Sequence, residues 1–431
     1  MTYNEALAYI ESTVTFGGKP GLRRIRALCE LLGNPQDKVR VVHITGTNGK
    51  GSTAAMTASI LRRAGYRVGL FVSPYVDDFR ERIQLDGELI PREDLVRELE
   101  DMIPYINYLR EQGFMHPTQF EMETAMAFSY FARKKCDIAV VEAGVGGLMD
   151  CTNIVRTTEV AVLTSISLDH TAVLGPTITD ITQDKSGIIK EGCDTVITPG
   201  QPEEAVSVIR SACRERHAHL TEPNMACMQI CSRTLSGSRI LYDGMELYVP
   251  LAGEYQIRNA VTAVEVCRAL ARRGYAVTQD AIMEGISTAY IPGRFETVRN
   301  APLCILDGGH NPGAIEALCR NLDESLAGRR LIAVMGMFAD KDYVSCVKNV
   351  ASRAGVFIAT SSGQPRSQEA HTLAGVAKPY CREVYWNPDV GTAARVALSL
   401  ASYGDVILVC GSIYNVAPAR IALTGRTAYA R

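Results

Sequence analysis

The clearest chemistry in the chain lies in Gly46-Thr47-Asn48-Gly49-Lys50-Gly51-Ser52-Thr53. This run follows the β-branched stretch VRVVHITG (39–46) and leads into STAAMTASILRRAG, whose Ala, Met and Leu favour a helix. Glycines let backbone N–H groups approach phosphate oxygens, and a helix N-terminus adds partial positive charge. Lys50 can neutralise β- and γ-phosphates, and a hydroxyl such as that of Ser52 can reach Mg²⁺. The pattern departs from G-x-x-x-x-G-K-[ST], because Ile44 occupies the first position and Gly51 separates Lys50 from Ser52. A glycine-rich turn without a ligand is the plain alternative. The combination of strand, glycines, lysine and hydroxyl favours nucleotide binding over it.

Three further strand ends offer ligands for a metal ion. Glu142 closes the buried run Ile138-Ala139-Val140-Val141, the usual place for the acid that faces a phosphate loop. Ser73 ends the strand at 68–72, and Asp169 and His170 end the strand at 160–166. From position alone, His170 is as much a capping or core histidine as a ligand, and Mg²⁺ prefers oxygen donors.

The elements that would position these residues alternate. VRVVHITG (39–46), YRVGLFVSP (66–74), CDIAVVEAG (136–144), EVAVLTSISLDH (159–170) and DTVITPG (194–200) read as strands separated by helical patterns. Near-continuous Val/Ile/Leu runs suit strands covered on both faces, hence a doubly wound α/β sheet with its ligands at the carboxyl ends of the strands. RILYDGMELYVP (239–250) breaks the rhythm, and its Asp243-Gly244 pair predicts a small antiparallel appendage. Helical segments follow at 256–272 and 279–289. After Pro292-Gly293-Arg294 a second alternation begins, with strands at APLCILDGG (301–309), RLIAVMGM (330–337), GVFIATSS (355–362), EVYW (383–386) and DVILVCGS (405–412). A domain boundary is expected near 295, giving domains of residues 1–295 and 296–431.

Composition narrows the classes further. The 45 Lys and Arg nearly balance the 47 Asp and Glu, which argues against a polycation for nucleic acid or an anionic membrane. No apolar run approaches the roughly 18–20 residues needed to span a bilayer. MTYNEALAYIESTV lacks the basic and apolar regions of a secretory signal, so a cytoplasmic location is expected. The 13 cysteines are an odd number, and Cys227-x-x-x-Cys231 has no histidine at zinc spacing, so reduced and mostly buried thiols are expected.

Taken together, the motifs resemble the folylpolyglutamate synthase/dihydrofolate synthase branch of the Mur ligase superfamily, over almost the whole chain. Phe16-Gly17-Gly18-Lys19-Pro20-Gly21-Leu22-x-Arg24-Ile25 and Leu31-Leu32-Gly33-Asn34-Pro35 lead to His43-Ile44-Thr45 and the glycine loop. Ser73-Pro74, Glu81-Arg82-Ile83, Thr118-x-Phe120-Glu121, Glu142 and Asp150-Cys151-Thr152-Asn153 follow in order. Next come Leu168-Asp169-His170, Asp184-Lys185-Ser186-Gly187, Gln256-x-x-Asn259-Ala260 and Pro292-Gly293-Arg294. Asp307-Gly308-Gly309-His310-Asn311-Pro312, Lys341-Asp342 and Gly411-Ser412-x-Tyr414 complete the series.

The resemblance implies a phosphate-loop domain followed by a smaller Rossmann-like α/β domain, and an ATP-dependent ligase that joins L-glutamate to dihydropteroate, a reduced folate, or both. ATP would lie between the domains, touching Thr47, Asn48, Gly49, Lys50, Gly51, Ser52, Asn259, Arg294, Asp307 and His310. Ser73, Glu142 and His170 would hold Mg²⁺, and Lys185, as a carbamate, would help hold a second ion, with a monovalent cation as a further ligand of the site. Sequence alone makes Lys185 an ordinary surface lysine. Lys50, Lys185 and His170 would serve catalysis, and Asp150, Arg82 and Arg366 the substrates, although Arg366 also reads as a solvated loop arginine. A monomer is expected, with small-molecule partners and neither nucleic acid nor membrane.

Leu148, Tyr75 and Tyr255 depart from the commoner family residues and are expected to alter the pterin pocket. Two rivals stand against this reading. A peptidoglycan-precursor ligase is disfavoured by the 16–35 segment and the Lys-Gly-Ser loop. A GTPase-like switch is disfavoured because neither Thr182-Gln183-Asp184-Lys185 nor Ala339-Asp340-Lys341-Asp342 supplies a base-reading motif.

Overall fold

The structure, a computed structural model, describes residues 1–13 and 21–429. The Phe16–Pro20 part of the motif noted above therefore lies outside the described residues. Eight strands form the first sheet: β1 (Arg40–Thr45), β2 (Val68–Phe71), β3 (Ile83–Leu85), β4 (Glu88–Leu89), β5 (Ile138–Glu142), β6 (Thr158–Leu163), β7 (Asp194–Ile197) and β8 (His219–Thr221). Their spatial order is β4-β3-β2-β5-β1-β6-β7-β8. All neighbours from β2 to β8 pair in parallel, and the β3–β4 ribbon joins the β2 edge antiparallel.

Burial explains the unbroken apolar strands. On β1, Val41 packs into a cluster with the helices Arg23–Leu31, Arg92–Glu111 and Gln119–Arg133, while its neighbour Val42 packs with Lys50–Arg63 and Glu254–Arg272. Successive side chains of a strand point to opposite faces, so a strand covered on both is apolar at most positions. This is the doubly wound sheet expected from the sequence.

The appendage contains β9 (Met228–Thr234), β10 (Gly237–Tyr242) and β11 (Met245–Val249), all antiparallel. Asp243 and Gly244 take φ of 47° and 80°, the two positive values a type I′ turn requires. Only two of its strands were foreseen, because β9 is exposed along nearly its whole length and carries no core-facing period.

The second sheet comprises β12 (Glu296–Asn300), β13 (Leu303–Leu306), β14 (Leu331–Met335), β15 (Val356–Ser361), β16 (Glu383–Asp389) and β17 (Val406–Cys410), in the order β12-β13-β17-β14-β15-β16. It is parallel except at β12, and apolar clusters cover both faces.

One local expectation needs correction. The strand read to 166 ends at Leu163, so Asp169 and His170 sit on a loop six and seven residues beyond it. Arg133 and Lys134 tie the helix Gln119–Arg133 to its neighbour by binding Asp94 and Glu98. Among the described residues no helix is long and apolar enough to cross a membrane, and the cysteines are free and mostly buried.

Candidate active site in the cleft between the sheets

The glycine loop is shaped by close approach. Gly46 has φ +152°, and a Cβ there would stand 1.9 Å from Thr164 Oγ1; one on Gly49 (φ +89°) would stand 2.5 Å from Asn259 Oδ1. The amides of Thr47 and Asn48 donate to Ser165 O at 2.8 and 3.2 Å, which pins the loop to the segment after β6. These two amides, expected in the phosphate cradle, are therefore already engaged. The helix begins at Lys50, so the amides of Lys50, Gly51 and Ser52 point forward with no acceptor inside the helix. Lys50 Nζ folds over its own loop and donates to Gly46 O (3.2 Å) and Thr47 O (3.4 Å).

Glu142 lies directly against this turn: a Cβ on Gly51 would be 3.3 Å from its Oε2. It is 4% exposed and accepts the Ser73 amide at 3.3 Å. Ser73 and Glu142 come together because β2 and β5 are neighbours in the sheet. Burial raises the Glu142 carboxyl pKa, and Lys50 is the main opposing charge.

His170 takes a left-handed φ of 50° and opens the short turn Thr171–Leu174. Burial lowers its pKa to about 4 against the pull of Asp169, so the ring is neutral near pH 7. Asp169 itself is committed elsewhere. Its Oδ1 binds Lys341 Nζ at 2.6 Å and its Oδ2 accepts from Asn311 Nδ2 at 3.2 Å, both from the C-terminal half.

Lys185 overturns the surface-lysine reading. It is 3% exposed and donates to Gly46 O at 2.8 Å. Burial, then Lys50, lowers its pKa to about 7. Its helix, Ile178–Ser186, can close on the 143–150 loop because Gly147 and Gly187 lack side chains: a Cβ would come within 2.7 Å of Lys185 O and 2.5 Å of Leu148 Cα, respectively.

Beside this centre, Asp150 is 6% exposed. Its Oδ2 accepts the Val145 amide (2.9 Å), and its Oδ1 accepts the amide (3.0 Å) and hydroxyl of Thr152. A Cβ on Gly144 would meet Phe120 at 2.7 Å and Asp150 Oδ2 at 3.3 Å, which sets an aromatic ring next to the carboxylate. Arg82, in contrast, is paired with Glu123 at 3.2 Å and packed on Tyr75 and Phe79.

From the second sheet, Asp307 follows β13 and accepts amides from Gly309 (2.7 Å) and Phe295 (2.9 Å). Burial raises its pKa, with Arg294 the first opposing charge. His310 Nδ1 donates to Gly308 O at 3.1 Å, and burial lowers its pKa to about 4, which leaves Nε2 an acceptor. Tyr255 feels Asp307 and Arg294, which sets this departure beside the C-terminal cluster. Arg366 is half exposed, bound to Asp340 at 3.1 Å and stacked 4.6 Å above Phe338. Leu148 is exposed beside a cleft of about 610 Å³ that it lines with Met149, Phe114 and Arg23.

The two halves meet at the glycine loop. Asn48 and Asn311 exchange amide hydrogen bonds of 3.3 and 3.0 Å. Asn311 was not assigned a role from sequence. Its one local signal is as a helix cap before Pro312, where its Oδ1 accepts the Ala314 amide at 2.9 Å.

A phosphate loop and buried acid on one sheet, facing a second α/β unit across a cleft, define a ligase of the Mur type. The Mur ligase middle domain matches residues 44–267, and the Mur ligase glutamate ligase domain matches residues 293–413. The dihydrofolate synthase/folylpolyglutamate synthase of Bacillus subtilis is 34% identical over 97% of this chain and 98% of its own length. Folylpolyglutamate synthase of Mycobacterium tuberculosis, solved with ADP and AMPPCP, superposes with a TM-score of 0.88 at 30% identity, covering 98% of this chain and 99% of that one. Escherichia coli FolC in complex with DHPP and ADP superposes at 0.85 and 30% identity, covering 96% of each. The chain belongs to the dihydrofolate synthase/folylpolyglutamate synthase family and is an ATP-dependent ligase.

Proposed function

We propose that the chain joins L-glutamate to the carboxylate of a pteridine acceptor, either dihydropteroate or a reduced folate, and that residues 1–295 and 296–431 act as two domains closing on ATP. The γ-phosphoryl group passes to the acceptor carboxylate, giving an acyl phosphate and ADP. The glutamate amine then attacks the acyl carbon, a proton leaves the nitrogen, and phosphate departs. The protein's part is to position the reactants and balance charge. The free amides of Lys50, Gly51 and Ser52 face the phosphates, and Lys50 swings from Gly46 O toward the transferred group. Arg294, Asp307, His310 and Asn259 approach the nucleotide from the other side, and Asp150 with Phe120 orients the acceptor. Arg366, at the loop carrying Asp340, is offered to the carboxylates of incoming glutamate.

The donor set suits Mg²⁺. Glu142 is a buried carboxylate that feels Lys50 first and then Arg294 and Arg82, forms no ion pair among the described residues, and has Ser73 beside it. Ser73, Glu142 and neutral His170 would hold one ion. Lys185, buried and with its pKa lowered to about 7, is partly neutral near pH 7; the neutral amine takes up CO₂ with loss of a proton, and its carbamate would serve a second. Bound there, the metal neutralises phosphate charge.

The observation that carries this reading is that one loop touches both halves: Gly51 packs on Glu142, and Asn48 binds Asn311. The test is phosphate release from ATP with L-glutamate and either dihydropteroate or tetrahydrofolate, with products weighed. Glutamyl mass increments that require the pteridine are expected. Lys50→Ala should lose at least ~10²-fold in turnover with an unchanged circular dichroism spectrum. Nucleotide hydrolysis indifferent to pteridines would overturn the proposal.

A further inference from the structure

His43 is a buried imidazole that the proposed reaction leaves unused. It lies on β1 at 0% exposure, in a strand otherwise apolar from Val41 to Ile44. Burying a polar ring there costs stability that Leu or Val would not, so its contacts call for a reason. Its Nε2 lies 2.8 Å from Thr152 Oγ1, and Thr152, also fully buried, bonds to Asp150 Oδ1 through both hydroxyl and amide.

We propose that His43 and Thr152 form a positioning relay that fixes the Asp150 carboxylate for the pteridine acceptor. The inference rests on the reading of Asp150 as an acceptor contact.

Proton accounting sets the direction of the relay. Thr152 has one hydroxyl proton, and a carboxylate is the stronger acceptor, so that proton goes to Asp150. Thr152 Oγ1 must then accept from His43, which assigns the Nε2–H tautomer. The other ring nitrogen, Nδ1, is buried without a partner among the described residues, consistent with a bare lone pair and not a stranded N–H. Burial holds the His43 pKa near 3, so the ring is a fixed donor and not a proton shuttle. Each bond polarises the next. Asp150 Oδ1 thereby takes both donors of Thr152, while Oδ2, which accepts the Val145 amide, lies on the side of Phe120. A flat heterocycle stacked on Phe120 with N–H groups along one edge would meet that oxygen.

The test compares Thr152→Val, Thr152→Ser, His43→Leu, His43→Gln and Asp150→Asn by steady-state kinetics in each of the three substrates, with thermal melts alongside. Thr152→Val and His43→Leu should raise KM for the pteridine about tenfold and leave KM for ATP and L-glutamate unchanged. Thr152→Ser keeps the hydroxyl, and the amide of His43→Gln can stand in for Nε2–H, so both should recover most of the loss. Normal acceptor KM in Thr152→Val, equal rises for all three substrates, or His43→Gln as poor as His43→Leu would overturn the relay. If His43→Leu does not fold, the Thr152 pair decides. Asp150→Asn separates the two levels: a raised acceptor KM there with a normal Thr152→Val sinks the relay alone. An unchanged Asp150→Asn sinks the Asp150 assignment and the relay with it.

Discussion

Lys185 shows how one side chain can be costly to the fold and needed at the site. Its amine is 3% exposed, with a pKa near 7 against 10.5 in a free chain. Between those values the unfolded chain binds more protons than the folded one, so this group's contribution to stability rises with pH across that window and is least favourable below about pH 7. Lys185→Met removes the titration. In CO₂-free buffer its melting temperature should match or exceed that of the wild type at pH 7, and the gap should narrow at pH 9; a gap that widens contradicts the buried-amine picture. Turnover should be lost in the same variant. In Lys185→Ala, a short added carboxylate should restore part of it, and failure in every such buffer would remove the carbamate from the proposed site.

At the scale of an element, the connection from β1 into its helix is built around two glycines that carry positive φ where backbone and side chains crowd. Gly46 is the tighter, because the clash of an added Cβ is with Thr164, itself bonded to Thr45 O at 3.1 Å and fully buried. Gly46→Ala should therefore destabilise the protein by about 1–3 kcal/mol by urea unfolding and also weaken ATP binding, since moving the loop moves its forward-facing amides. A variant with wild-type stability and ATP affinity would show that Thr164 yields freely. The same crowding logic holds for Gly147 and Gly187, which admit the helix end bearing Lys185.

For the whole molecule, the clasp across the cleft is polar: Asp169 with Lys341 and Asn311, and Asn48 with Asn311. Both members of the ion pair are about a tenth exposed, so screening by solvent is weak. Because Asn48 belongs to the phosphate loop, the clasp ties the spacing of the two sheets to the state of that loop. Asp169→Asn keeps the shape and removes the charge. Without nucleotide it should show a larger radius of gyration by X-ray scattering, reversed by an ATP analogue, and KM for ATP should rise about tenfold, equivalent to ~1.4 kcal/mol. Unchanged scattering and KM would show that closure does not depend on the pair.

The sequence by itself determined the two alternating sheets, the position of the phosphate loop, the acid at the end of β5 and the family, because these rest on local signals: apolar runs, glycines and the order of short motifs. It missed β3, β4, β8, β9 and β12, strands too short or too exposed to carry an apolar period, and ran β6 three residues too far, because Ile166 adds an apolar residue beyond Leu163. Burial and partnership were decided only by the tertiary structure. A lysine near the end of a polar helix looks solvated until two glycines let that helix close on a neighbouring loop, and Asp169 looks like a metal ligand until a lysine 172 residues away claims it. Such facts depend on what the rest of the chain places nearby, and no local pattern of residues carries that.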